Sequence, residues 1–385
     1  MIYNFDEIID RKNTSCSKYD ALDIYFGYED LQPLWVADMD FKTPDVVNNV
    51  ILERAKKGLY GYPIATQRTF DAVKNWMKKR HNWNIDTSWI TFVNGVVPAY
   101  SAAIEAFSEV GDEVIVQTPV YFPLFKHIKS NNRVLVTNPL KENNGYYTMD
   151  LEDLKKKITP KTKIFVLCSP HNPVGRVWSK EELKELAQIC LDNNILIISD
   201  EIHSDIVFKK FTPIATISDE IAMNTLTLNS PGKTFNTAGL KCGYAISKNS
   251  EIMNTFKTII EKREVKSINV FGFTALEAAY ELGDSWLDEL LVYLKKNINF
   301  TKDFLEKNNS KIEFLEPEAT YLLWLSFKKI TNDYNKVKQK LLEESKVALN
   351  EGSTFGREGK GYFRLNCALP QSELEKGLSK IVTFF

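Results

Sequence analysis

Cysteine, proline and glycine are scarce in this chain, and each scarcity closes off a class of protein. Five cysteines in 385 residues, Cys16, Cys168, Cys190, Cys242 and Cys367, are odd in number and widely spaced. That excludes a disulfide framework and a paired-thiolate zinc site. The acidic cluster Asp200, Glu201, His203 and Asp205 has no second histidine or cysteine beside it, so no metal is expected. The 17 glycines and 14 prolines are thinly spread and leave no repeat or low-complexity segment. No apolar run approaches the roughly 20 residues of a membrane span. Residues 1–12 carry acidic side chains and no signal-peptide core, so the expected location is cytoplasmic. Net charge is −1, from 49 basic and 50 acidic residues. Neither nucleic acid nor an anionic membrane is therefore an expected partner, which leaves a small-molecule substrate.

What the chain does have is length and alternation. Single cores stop growing at about 250 to 300 residues, so two domains are expected. Short β-branched or apolar runs at 89–93, 113–117, 133–136, 163–168, 194–199, 225–228 and 243–246 alternate with segments of helical period. This pattern predicts an α/β architecture, a mostly parallel seven-stranded sheet between helices. Residues 180–192 illustrate the helices: Leu183, Leu186 and Ala187 recur at helical spacing behind a capping box of Ser179 and Glu182. After about Gly283 the pattern changes to an amphipathic stretch at 286–308, short strands near 312–315, 321–327 and 362–366, and helices at 333–345 and 372–384. The expected division is a large domain over 46–284 and a smaller α+β domain built from 1–45 and 285–385.

In an open α/β sheet, ligands bind beyond the carboxyl ends of the strands, so residues just past several strands should converge. Four such places carry complementary chemistry. Asn94-Gly95-Val96-Val97 is a glycine turn into a helix, whose free N–H groups suit a phosphate. Ser169-Pro170-His171-Asn172-Pro173 is a proline-fixed turn holding Asn172. Asp200-Glu201-Ile202-His203 places a carboxylate at a strand end. Ser230-Pro231-Gly232-Lys233 places a lysine after another strand, a nucleophile if burial or nearby cations lower its pKa. Phosphate cradle, amide, carboxylate and lysine together describe a pyridoxal phosphate site. Asp200 would pair with a protonated pyridine nitrogen, Asn172 donate to the phenolate oxygen, and Tyr121 offer its ring face for stacking. Ser230, the N–H groups of Val96 and Val97, and the charge of Lys241 would hold the phosphate, with His203 at the pocket wall as a further cofactor contact.

Beyond single residues, the chain resembles fold-type I pyridoxal phosphate enzymes of the aminotransferase class I/II superfamily, and within them the MalY/PatB-type cystathionine β-lyases, or C–S lyases. The resemblance rests on Leu34-Trp35-Val36-Ala37-Asp38-Met39-Asp40-Phe41, Gln117-Thr118-Pro119-Val120-Tyr121, Cys168-Ser169-Pro170-His171-Asn172-Pro173-Val174-Gly175-Arg176-Val177-Trp178, Ser199-Asp200-Glu201-Ile202-His203-Ser204-Asp205 and Leu349-Asn350-Glu351-Gly352-Ser353-Thr354-Phe355-Gly356. It implies the type I transferase fold and α,β-elimination from an S-substituted cysteine. Lys233 is then the Schiff-base lysine, with Tyr121 and Asp200 beside it in catalysis. Arg364 matches the arginine that clamps the substrate α-carboxylate, with Asn172, Ala37 and Tyr321 lining the substrate pocket. Tyr62 matches a tyrosine that reaches the phosphate across a homodimer interface. The chain departs from the family in Lys241 for a phosphate-binding arginine, Ala319 for glycine and Gly232 for a small hydroxyl residue. An aminotransferase activity, or an added regulatory role in binding a protein, are the alternatives the resemblance leaves open.

Overall fold

The computed structural model describes residues 2–385. Its centre is a seven-stranded sheet built from β1 (Ile90–Val93), β2 (Glu113–Thr118), β3 (Val134–Pro139), β4 (Thr162–Cys168), β5 (Leu196–Asp200), β6 (Thr225–Asn229) and β7 (Gly243–Ile246). The spatial order is β1-β7-β6-β5-β4-β2-β3. Strand β7 runs antiparallel to both β1 and β6, and the other pairings are parallel. All seven expected strands are present. The third runs three residues past its expected end, to Pro139, which pairs with Thr118. A proline is tolerated there because β3 is an edge strand and need not donate outward.

Successive strand residues point to opposite faces, and both faces are covered. Val114, Val116, Ile164 and Val166 pack under the helices Val96–Ala106 and Ser250–Lys262. Ile115, Phe165, Leu167 and Ile197 pack under the helix Lys180–Asp192. Burial on both sides is why these strands read as continuous apolar runs in the sequence. The Ser179/Glu182 capping box forms as expected.

The C-terminal part holds a three-stranded antiparallel sheet of β8 (Leu322–Ser326), β9 (Asn350–Glu351) and β10 (Tyr362–Asn366), in the order β8-β10-β9. Helices Asp284–Lys307, Tyr334–Glu343 and Gln371–Val382 accompany it. The strand expected near 312–315 does not form; Glu313 makes a single bridge to Ser326, and the chain turns away through Pro317, which cannot donate to a ladder. The N-terminal segment joins both parts. Gln32–Pro33 pairs in parallel with Val347–Ala348, while Asn236, beside the lysine turn, donates to the carbonyls of Met39 and Phe41. Among the described residues, no helix is long and apolar enough to cross a membrane.

Candidate active site

Register brings the site together. In the parallel pairings Cys168 lies beside Asp200, and Asp200 beside Leu228. The carboxyl ends of β4, β5 and β6 thus form one row, and the turns that follow them carry Asn172, His203 and Lys233. Because β7 is antiparallel, its first residue, Gly243, lies beside Val93 at the end of β1, which draws Lys241 toward the Gly95 turn. A cavity of about 210 Å³ opens over this row, lined among others by Ala37, Val96, Val97, Tyr121, Asn172, Asp200, His203, Ser230, Lys233 and Lys241. Ten of the residues singled out from sequence therefore share one wall.

Three do not. Arg364 and Tyr321 stand one layer behind: Arg364 donates to the Asn172 side chain at 3.1 Å, and the Tyr321 hydroxyl donates to the Ala37 carbonyl at 3.0 Å. Tyr62 is fully exposed, on a segment where Leu59, Tyr60 and Ile64 are exposed too.

The electrostatics follow from burial. Lys233 stands in the short helical turn Pro231–Thr234, and its amine donates to the Ala37 carbonyl at 2.5 Å. Burial, opposed by Asp38 and reinforced by the charge of Arg364, brings that amine down to about 8. Burial also raises the Tyr121 hydroxyl, with Asp200 adding to it, so the phenol keeps its proton at neutral pH. His203 is held neutral by burial and by the charges of Lys233 and Arg364, and its Nδ1 is buried without a partner.

Asp200 is 5% exposed and its carboxylate receives one hydrogen bond, from the Ile202 N–H at 3.2 Å. Burial pushes its carboxyl up to about 6. The folded state thus binds this proton more tightly than the unfolded chain, and stability is lost as pH rises from 3.8 through about 6. Asp200→Asn removes that penalty. The cofactor-free variant should be more stable than the parent above pH 6 by up to about 2–3 kcal/mol, while its affinity for pyridoxal phosphate falls. Thermal melts at pH 5 and pH 8, with and without cofactor, check both signs.

The cavity fits the expected cofactor. At one end Gly95 adopts φ +123°, a conformation that side chains resist, and starts the helix Val96–Ala106 with no side-chain cap. The first N–H groups of that helix have no intrahelical acceptor and suit an anion. Lys241 adds charge on the same side. The Ser230 hydroxyl caps its own turn, accepting from the Gly232 N–H and donating to the Cys242 carbonyl at 2.6 Å; towards a phosphate it would have to exchange that bond. At the other end, the poorly satisfied Asp200 and the orphaned His203 Nδ1 are the groups a polar heteroaromatic ring would satisfy.

Sequence reasoning missed several supporting residues. Asp205, considered there only as a metal ligand, accepts from Trp76 Nε1 at 3.2 Å, lies 2.9 Å from His81 Nε2, and accepts from the Thr234 hydroxyl at 2.7 Å. It anchors the residue after Lys233. Arg11 and the fully buried Lys18 pair with Asp38 and Asp40, fixing the loop whose Ala37 carbonyl meets the lysine. Asn350 braces Arg364 at 2.7 Å. None of these pairings leaves a local signal, since the partners are far apart in the chain.

Residues 36–381 match the aminotransferase class I and II family. The chain belongs to that family. Cystathionine β-lyase PatB of Bacillus subtilis is 40% identical over 98% of this chain and 98% of its own length. Cystalysin from Treponema denticola, whose crystal structure contains a pyridoxal 5′-phosphate cofactor, superposes with a TM-score of 0.96 at 35% identity, covering 100% of this chain and 98% of that one. A pyridoxal-phosphate-bound putative aminotransferase from Clostridium difficile gives a TM-score of 0.96 at 42% identity, covering 99% of both chains. As a class I and II aminotransferase family member this chain has the type I transferase fold, and its cavity lies where that architecture places a ligand, beyond the carboxyl row of the sheet.

Proposed function

We propose that the protein is a pyridoxal-phosphate-dependent carbon–sulfur β-lyase, which eliminates a thiol from S-substituted L-cysteines such as L-cystathionine and yields pyruvate and ammonia. The observation that carries the chemistry is a buried lysine amine brought to about 8 in one cavity with a buried carboxylate. The choice of lyase is supported by end-to-end similarity to PatB.

When bound, pyridoxal phosphate supplies the electron sink for charge left on the substrate α-carbon. Asp200 would hold its ring nitrogen protonated, Tyr121 stack on the ring, Asn172 meet the phenolate oxygen, and the Val96–Val97 turn, Ser230 and Lys241 hold the phosphate. Lys233 in its neutral form removes the α-proton at Nζ, a task suited to an amine near the working pH. The Ala37 carbonyl, which already accepts from that amine, holds it over the cavity while it is charged. The sulfur leaves with the electron pair of the broken carbon–sulfur bond and takes a proton from Lys233 or from the Tyr121 hydroxyl. Arg364, charged at neutral pH although burial brings it down to about 10, clamps the α-carboxylate together with Asn172. Ala37, backed by Tyr321, lines the pocket on the side of the smaller domain, residues 1–45 and 285–385.

The protein acts as a cytoplasmic homodimer with shared sites. This reading is supported by the exposed Leu59, Tyr60, Tyr62 and Ile64, an apolar patch beside a residue whose role requires a neighbour. Tyr62→Phe should leave the dimer intact in sedimentation and weaken cofactor affinity about tenfold or more, since one hydrogen bond to a charged group is worth about 1.5–3 kcal/mol. An unchanged cofactor affinity would remove Tyr62 from the site.

Loaded enzyme given L-cystathionine, with an oxo-acid acceptor in a parallel reaction, tests the reaction class. Pyruvate and thiol in equal amounts without the acceptor are expected. Amino-group transfer to the acceptor with no thiol would make the protein an aminotransferase, the description attached to its Clostridium difficile neighbour.

A further inference from the structure

Arg364 is 3% exposed on β10, with its guanidinium carbon 4.9 Å from the centre of the Phe355 ring. A guanidinium this deep ordinarily has a carboxylate beside it. Arg176, equally buried, is paired with both Glu182 and Glu318. Among the described residues Arg364 has no ion-pair partner. Its acceptors are the Asn172 amide oxygen at 3.1 Å, the Trp35 carbonyl at 3.0 Å and the Asn350 amide oxygen at 2.7 Å, and all three are neutral. Nε has no partner.

Asn350 lies directly opposite Arg364 in the β9–β10 pairing. The next residue, Glu351, does carry a carboxylate, but strand alternation sends it to the other face, where it accepts from Ser353 and pairs with Lys338. The chain thus places an amide, with a carboxylate one position away, at the one point of this strand that touches the arginine.

We propose that Asn350 is a specificity-determining residue, a neutral brace that orients Arg364 and leaves its charge uncompensated, so that the site selects ligands with a free α-carboxylate. The inference rests on Arg364 being the carboxylate clamp. An amide and a carboxylate have the same shape, so the choice between them is electrostatic. An ionised oxygen at this position would satisfy the guanidinium before the substrate arrives and repel the incoming carboxylate.

The test measures dissociation constants by calorimetry on the pyridoxal-phosphate-loaded enzyme, with two probes. L-alanine has the α-carboxylate and no β leaving group; ethylamine has neither. Asn350→Asp is expected to weaken L-alanine binding about tenfold or more and to leave ethylamine unchanged. Asn350→Ala, which removes a hydrogen bond and adds no charge, should cost L-alanine clearly less. Equal losses in the two variants, or a parallel loss for ethylamine, would overturn the proposal, because Asn350 would then be only a structural support. Arg364→Ala separates the levels. If it abolishes the preference for L-alanine while Asn350→Asp does not move it, the role of Asn350 fails alone; if the preference survives Arg364→Ala, the clamp itself is wrong.

Discussion

Replacing Lys233 by alanine should remove both the near-ultraviolet to visible absorbance of lysine-linked pyridoxal phosphate and at least about a thousandfold of the thiol-release rate. A positioned general base contributes up to about 10⁴-fold, and this variant also loses the group that anchors the cofactor covalently. The structural reason is specific: the amine stands in a buried turn, held on the Ala37 carbonyl and reduced to about 8. A corollary concerns the wild-type apoprotein. Only the neutral amine attacks an aldehyde, so cofactor uptake should quicken as pH rises through about 8, well before a solvent lysine at about 10.4 would respond. An absorbance spectrum unchanged in Lys233→Ala would sink the site assignment.

Arg364→Ala should raise KM for an amino-acid substrate on the order of a hundredfold, with a smaller effect on kcat. Two charge-assisted hydrogen bonds at about 1.5 kcal/mol or more each amount to about 3 kcal/mol, and tenfold in affinity is about 1.4 kcal/mol. Of the guanidinium's five N–H groups, three are engaged by Asn172, Trp35 and Asn350, so a carboxylate that takes two bonds joins a free N–H and displaces one of the neutral acceptors on Nη2. A rise in KM alone marks binding that is the same in ground and transition states. Steady-state kinetics with L-cystathionine distinguish this from a loss confined to kcat, which would mean that Arg364 acts on the chemical step.

The large sheet was legible in the sequence because its strands are buried on both faces and separated by turns and amphipathic helices. Every one of the seven runs became a strand. The short run at 312–315 did not, because four residues, Ile312-Glu313-Phe314-Leu315, carry no information about whether a neighbouring edge will be offered to them. Residues at or just past strand ends, Asn172, Asp200 and Lys233, could be named in advance because sheet topology gives such positions a common destination. The residues that support them could not. Asp205 gave no local sign that it would collect Trp76, His81 and Thr234, since hydrogen bonds across 29 or more positions depend on how whole elements pack.

By itself the sequence determined the alternation of strands and helices, the identity of the groups beyond each strand end, and, through its motifs, the family and its cofactor. Period and turn chemistry are local properties, written in consecutive residues. Only the tertiary structure decided which charges are left unpaired. Arg11, Lys18 and Arg176 found carboxylates in the packed chain, whereas Arg364 found none and Asp200 found no cation. Whether a buried charge is compensated depends on distances of a few ångströms between segments remote in sequence, because desolvation and Coulomb attraction both act through space.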